Sequence, residues 1–377
     1  MNLKRKAIPI IAAVVVTLLA TLAVLNLRAE KNIAVRPTHQ YAVADQQFQR
    51  SMSVLLGPPL VDGNRIETLL NGDRIFPSML QAISGAKQTI DFETYIYWSG
   101  AIGKRFAAAL AERARAGVKV NVLVDGRIGF TGGVGVADVW TGNAQDPEHW
   151  RDNHYRIEGP AVAHMQAAFI DNWTKISGSV LHGDQYFPPQ ATIGTQFAQV
   201  FQSSSEGGSE SMHLMYLLSI AAATQTIDLA MAYFVPDEIT SGALVSAMKR
   251  GVRMRLILPG KHVDSNFVRG TSRASWGPLL QAGALIHEYE PTMYHVKLLI
   301  VDGLWSSVGS TNFDSRSFRL NDEANLNVCD AGFARLQTAT FEADLKRARR
   351  ITTEQWQARP WHEILWEHTA ALFSSQL

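Results

Sequence analysis

"AKQTIDFETYIY", residues 86–97, returns as "ATQTIDLAMAYF", residues 223–234, and this pair of copies decides how the 377-residue chain is read. In each copy a β-branched run is followed by a stretch with helical spacing, "RFAAALAERARAG" in the first and "ALVSAMKRG" in the second. A further apolar run follows, in "ARAGVKVNVLV" (114–124) and "MKRGVRMRLIL" (248–258). Strand, helix, strand, written twice, predicts an α/β protein of two similar halves, each a mixed β-sheet flanked by helices.

Beyond this point the copies part. The second runs 51 residues from Gly251 to Asp302, through the helix-like "SNFVRGTSRASWGPLLQAG", the strand "ALIHEYE" and the hairpin "YHVKLLIVDGLWSSVGSTNFD" (294–314). The first runs only 8 residues from Gly117 to Asp125, a shortfall of 43, before its own Asp-Gly turn in "DGRIGFTGGVGVAD". Matching Gly132 to Gly309 sets Val118 and Val120 where the second copy has His295 and Lys297. Lys119 is no substitute, since a slip of one residue turns a strand's side chains to the opposite face. "GVKVNVLVDGRIGFTGG" (117–133) therefore reads as a splice. The first half is expected to lack one helix and about two strands, with "VKVNVLV" serving as both crossover and hairpin strand.

In the intact hairpin, a two-residue turn at Asp302-Gly303 predicts Lys297 opposite Val308 and His295 opposite Ser310. His295, Lys297, Ser310 and Asn312 then share one face, while Asp302 caps the turn. An imidazole, a cation, a hydroxyl and an amide on one surface suit a phosphate. Glu323, in "FRLNDEANLNV" (318–328), reads either as a carboxylate orienting the imidazole or as a solvated loop charge.

The run H-x-K-x-x-x-x-D followed by G-S-x-N resembles the phospholipase D superfamily. "YFVPDE", "FETYIYWSG", "LLGPPLVDGNRIETLLNGDRIFPSML" and "DPEHWRDNHYRIEGPAV" look like bacterial cardiolipin synthases, and the resemblance extends over nearly all of the chain after its N-terminus. It implies two motifs meeting in one site, where one histidine forms a phosphohistidine and the other is general acid and base, without metal or cofactor. The reaction implied is phosphatidyl transfer between two phosphatidylglycerols. By this resemblance His295, Lys297, Asp302 and Glu323 are catalytic, and Lys297, Ser310 and Asn312 hold the substrate phosphate. Asp125, Gly132, Gly133 and Asp152 are the remnant of the first site, Asp152 matching Glu323 as the acid for an imidazole no longer there. His149, His154 and His164 all follow the turn, and none has a lysine two residues on. An impaired phosphatidyltransferase is the expectation; the alternatives are a single-motif enzyme that pairs two chains and a non-catalytic phospholipid- or partner-binding membrane protein.

Composition fits this. Hydrophobic residues make up 46% of the chain, and a net charge of +1 provides no basic footprint for nucleic acid. The single cysteine, Cys329, excludes an internal disulfide. Residues 7–27 carry no charge, and 21 residues of helix span about 31 Å, the thickness of a bilayer core. Lys4, Arg5 and Lys6 before this stretch outweigh Arg28 and Lys31 after it, so the N-terminus is expected inside and the body outside the inner membrane. The expected organisation is an anchor (1–36), a shortened first half (37–190) and an intact second half (191–377), with "SSSEGGSESM" (203–212) joining the halves and the tail after residue 340 helical.

Overall fold

The computed structural model describes residues 35–121, 128–203 and 210–374, with positions 13, 16, 17 and 33. The expected membrane span at 7–27 and Asp125 thus lie outside the described residues, apart from those isolated positions. No helix among the described residues is long and apolar enough to cross a membrane.

One mixed sheet of 11 strands runs through the molecule. From one edge its order is Ala348–Ile351, Leu285–Tyr289, Arg253–Pro259, Thr226–Met231, Lys297–Val301, Trp305–Gly309, Glu323–Cys329, Gln196–Ser203, Val61–Leu70, Asn153–Glu158 and Ile128–Gly132. The halves join where Gln196–Ser203 pairs antiparallel with Val61–Leu70. On either side of that seam the pattern repeats, because Glu323–Cys329 pairs with Gln196–Ser203 as Asn153–Glu158 pairs with Val61–Leu70. Gln196–Ser203 therefore already belongs to the second half. The halves are joined by residues 178–195, and not by 203–212, of which 204–209 lie outside the described residues.

The second half is held by buried runs. "RLILP" and "KLLIV" are wholly buried, which requires cover on both faces of the sheet. Thr226–Met231 and Arg253–Pro259 are parallel, bridged by the helix Glu238–Lys249, whose N-terminal Asp237 carboxylate accepts the Thr240 N–H. Lys297–Val301 then bonds Thr226–Met231 on one side and Trp305–Gly309 on the other, stitching the βαβ unit to the hairpin.

In the first half that stitch is absent among the described residues. Thr89–Asp91 pairs with Lys119–Asn121 as a separate two-stranded parallel sheet, and Ile128–Gly132 ends the main sheet against Asn153–Glu158. Lys119–Asn121 is thus the crossover strand, and Ile128–Gly132 stands for the second hairpin strand. Further along, the two pieces meet again: Trp98 N–H donates to Val136 O at 3.0 Å and Val136 N–H to Ile96 O at 2.8 Å. Phe234–Val235 and Phe313–Asp314 make the corresponding contact in the second half.

The hairpin register differs from the expected one. Val301 pairs with Trp305 and Leu298, not Lys297, faces Val308. The loop holds three residues, Asp302, Gly303 and Leu304, with Asp302 at φ 52° and Gly303 at φ 61°. Asp302 accepts the left-handed conformation because its carboxylate takes the N–H groups of Thr224, Gln225 and Thr226 at 2.8 to 2.9 Å. The tail also differs: after the helix Ala331–Leu345 it forms the edge strand Ala348–Ile351 before the helix Trp361–Ala371. Trp361 and Trp366 stay largely exposed, although Trp366 also meets Phe267 edge-on.

A second contact locks the halves together. The buried Arg151 guanidinium donates to both Asp344 oxygens, at 2.9 and 2.8 Å, and Tyr294 Oη donates to the same carboxylate at 3.0 Å. Burial opposes the Arg151 charge, but Asp344 more than offsets it and its pKa is raised. Arg151→Met strands a buried carboxylate, so urea unfolding is expected to show a loss of about 3–5 kcal/mol. Asp344→Leu added to it should restore part of that loss; a single variant losing less than about 1 kcal/mol would contradict the role given to this pair.

Candidate functional site

His295 lies just before its strand, where two backbone hydrogen bonds run between the halves. Arg151 N–H donates to Met293 O at 2.9 Å, and His295 N–H donates to Arg151 O at 2.8 Å. This pairing sets Asp152 beside the ring, and Asp152 Oδ2 lies 2.8 Å from His295 Nδ1. Asp152 is therefore no remnant. It is the acid for the histidine of the other half, and the expectation that Glu323 orients His295 is corrected.

The Asp152 carboxylate is fully engaged. Oδ1 accepts the Asn153 N–H at 2.8 Å and Oδ2 accepts the Trp140 indole N–H at 3.1 Å. An acceptor-only carboxylate at Nδ1 fixes the proton there and leaves Nε2 with its lone pair. Trp140 and Trp150 flank the ring, with centroids 5.3 and 5.4 Å away. Burial, then the Lys297 charge, lowers the His295 pKa, while Asp152 opposes the shift. Lys297 Nζ is 3.0 and 3.1 Å from the ring nitrogens and donates to His295 O at 2.8 Å; burial brings its pKa down to about 8 against the pull of Asp152 and Glu323.

Gly133 lies against this cluster. A Cβ there would stand 2.9 Å from Lys297 Nζ and 3.0 Å from both Asp152 Oδ2 and His295 Nδ1. Gly132, at φ 154°, lies against the His154 ring. Both glycines shape the retained site rather than mark a lost one.

Glu323 is buried across the cleft and meets no imidazole. It accepts Ser310 Oγ at 2.5 Å, Ser317 Oγ at 2.9 Å and Asn321 Nδ2 at 3.2 Å. Burial raises its pKa, as it raises that of neighbouring Asp314 to about 6. Ser310 sits past the strand end and turns to Glu323, whereas Asn312 lines the cleft with Oδ1 buried and unpartnered. Asp302 takes no part: five residues of strand, about 17 Å, separate it from Lys297.

The other histidines do not fill the gap. His149 pairs with Asp146, and His164 accepts the Val200 N–H at 3.4 Å. His154 borders the cleft, but burial depresses its pKa to about 4 and its Nδ1 has no partner. Four residues at the site carry no distinct mark in the sequence: Trp140, Asp314, Ser317 and Tyr233, whose hydroxyl donates to Asp264. For Asp314, Ser317 and Tyr233 the only signal is membership of "YFVPDE" and the hairpin 294–314 or their immediate neighbourhood. No group of three or more His, Cys, Asp or Glu able to hold a metal occurs among the described residues.

His295, Lys297, Asn312 and Glu323 open into one cleft of about 970 Å³ lined by both halves. Asp152→Asn removes the carboxylate that holds the His295 pKa up, so ring-selective NMR titration should show that pKa falling further. Glu323→Gln should leave it nearly unchanged; the reverse pattern would return Glu323 to the role of orienting acid.

Residues 216–345 match the family model described as "Cardiolipin synthase, PLD-like domain". Cardiolipin synthase A of Pseudomonas aeruginosa is 30% identical over 373 residues, covering 85% of this chain and 76% of the relative. Cardiolipin synthase 1 of Bacillus anthracis is 29% identical over 378 residues, covering 85% and 74%. Among solved structures, phosphatidylserine synthase of Haemophilus influenzae Rd KW20 shares the fold at a TM-score of 0.67 and 11% identity, over 89% of this chain and 100% of that one. With its cross-half histidine site and this extent of similarity, the chain belongs to the cardiolipin synthase family of phospholipase D-like proteins.

Proposed function

We propose that this chain is a phosphatidyltransferase of the cardiolipin synthase type that keeps one of its two catalytic histidines, holds a phosphatidyl phosphate, and transfers it little or not at all. The observation that carries the reading is the asymmetry of the two acids. Asp152 holds an imidazole supplied by the opposite half, whereas Glu323, its counterpart by repeat, is bonded to Ser310, Ser317 and Asn321 instead.

Phosphatidyl transfer through a phosphohistidine needs one imidazole to attack phosphorus while a second protonates the leaving glycerol oxygen and later deprotonates the incoming one. His295 supplies one such nitrogen, Nε2, and the family resemblance assigns it the acid-base role. The nucleophile is then the missing member. Lys297 and the Asn312 amide remain to hold phosphate oxygens, and Ser310 lines the same cleft.

Phosphatidylglycerol is the substrate proposed by family, and a bilayer is the proposed setting. The charge-free stretch 7–27 supports an inner-membrane anchor with the body outside. Tyr95 and Trp98, exposed side chains at the cleft, support a mouth that meets the lipid surface.

In phosphatidylglycerol micelles the purified chain is expected to form cardiolipin at least about 10³-fold more slowly than a two-motif relative, because members of a catalytic pair act as a unit. Inserting a segment patterned on residues 259–297, with H-x-K at its end, should recover turnover. Robust turnover by the unmodified chain, abolished by His295→Ala, would replace this reading with a paired-chain enzyme. For topology, protease added outside spheroplasts should digest the body; a protected body or a mature chain lacking residues 1–27 would refute the anchor.

A further inference from the structure

The helix Trp361–Ala371 lies on the body with its faces reversed. A surface helix usually buries its apolar stripe and turns its charges to water. Here the acids point inward: Arg273 Nε donates to Glu367 Oε1 at 2.8 Å, Arg359 Nη1 pairs with Glu367 Oε2 at 3.0 Å, and Glu363 lies 3.7 Å from Arg273. The apolar side chains point outward. At about 100° per residue, Trp361, Leu365 and the C-cap Leu372 fall within about 40° of one another, opposite the two glutamates. They are 75%, 60% and 64% exposed.

The surroundings indicate what meets this stripe. The helices Ser211–Ala222, Glu238–Lys249, Trp276–Gln281 and Asn266–Ala274 pack in that succession, and Trp361–Ala371 lies on the last of them. The first three share one apolar cluster with the strands, so the helices form a layer on one face of the sheet. Ile33, Arg36 and His39, which follow the charge-free stretch 7–27, lie on the first two of these helices. Ile33 N–H donates to Glu210 Oε2 at 2.7 Å, Arg36 Nη1 donates to Gly242 O at 3.0 Å, and His39 Nδ1 is 2.7 Å from Ala221 O. The route to the charge-free stretch and the exposed stripe thus belong to one helical layer. At its C-terminal end the stripe also nears the cleft, since Phe373 meets Phe267, shortly after the cleft-lining Asp264.

We propose that the outward face of Trp361–Ala371 docks on the bilayer as an in-plane helix, with Trp361, Leu365 and Leu372 at the boundary of head groups and acyl chains. This rests on the membrane setting proposed above and adds to the anchor a second, peripheral contact. A stripe of this kind seats about 5–10 Å into that boundary, and an indole suits it by pairing an apolar ring with an N–H for the head groups. Three apolar side chains suffice because the anchor already holds the chain at the bilayer, which makes docking an intramolecular step. The rival occupant is a second copy of this chain.

The test uses the full-length chain with Cys329→Ser, reconstituted in vesicles of phosphatidylglycerol and phosphatidylcholine, with a polarity-sensitive fluorophore on one introduced cysteine. His368→Cys puts the label on the outward stripe. Leu336→Cys puts it on the helix Ala331–Leu345, which packs on the opposite face of the sheet. A lipid with a nitroxide high on its acyl chain is expected to quench the label at 368 at least about twofold and to leave the label at 336 unchanged. Adding Leu365→Glu and Leu372→Glu, both at exposed positions, should abolish that quenching while the chain still sediments with the vesicles. A sedimenting chain whose label at 368 is not quenched overturns the docking helix alone, as does quenching that survives the two glutamates. A label at 368 that escapes the nitroxide but shifts to the blue as protein concentration rises assigns the stripe to a second copy and overturns docking likewise. A chain that does not sediment with the vesicles overturns the membrane setting and this inference with it.

Discussion

Two backbone hydrogen bonds between Arg151 and the 293–295 segment carry the organisation of this protein. They run between halves whose main seam lies elsewhere, at the pairing of Gln196–Ser203 with Val61–Leu70. They hold Asp152 at the ring of His295, while Arg151 itself reaches Asp344 in the second half. The structural clamp and the Asp152–His295 pair thus occupy adjacent residues. A change in how the halves pack would therefore disturb the imidazole directly.

The first half looks as it does because, among the described residues, no strand bridges Thr89–Asp91 and Ile128–Gly132. In the second half, Lys297–Val301 is bonded on both sides, and its side chains pack into two of the apolar clusters. With no equivalent among the described residues, the first half keeps its two-stranded sheet in place by packing, through Ile90, Phe92, Phe106 and Val118 in a cluster with Ile75 and Trp140. Burial of these side chains, each worth about 1.5–3 kcal/mol, replaces the ladder hydrogen bonds that a bridging strand would make. The contact between residues 96–98 and Val136 matches that of Phe234–Val235 with Phe313–Asp314 in the second half.

Electrostatics at the site follow from the same asymmetry. Asp152 has a full set of donors, one of them an imidazole, and it opposes the fall in the His295 pKa. Glu323 and Asp314, buried near each other with Lys297 as the nearby cation, are both pushed upward. The three donors on Glu323 come from its own half, which leaves its carboxylate satisfied without reaching the first half.

The sequence by itself determined the duplication, the shortfall of 43 residues and its position, and which half keeps His295 and Lys297, because these are properties of residue order and period. The structural role of Asp302 was also legible, since turn chemistry is local. The hairpin register was not, because a three-residue loop rather than a two-residue turn depends on Asp302 finding the Thr224, Gln225 and Thr226 N–H groups 76 to 78 residues earlier, at the start of a strand. Nor was the exchange of acids legible: repeat alignment pairs Asp152 with Glu323 but cannot say which imidazole each serves. That is decided by how the halves dock, where the rung at Arg151 brings Asp152 to His295 across 143 residues of chain.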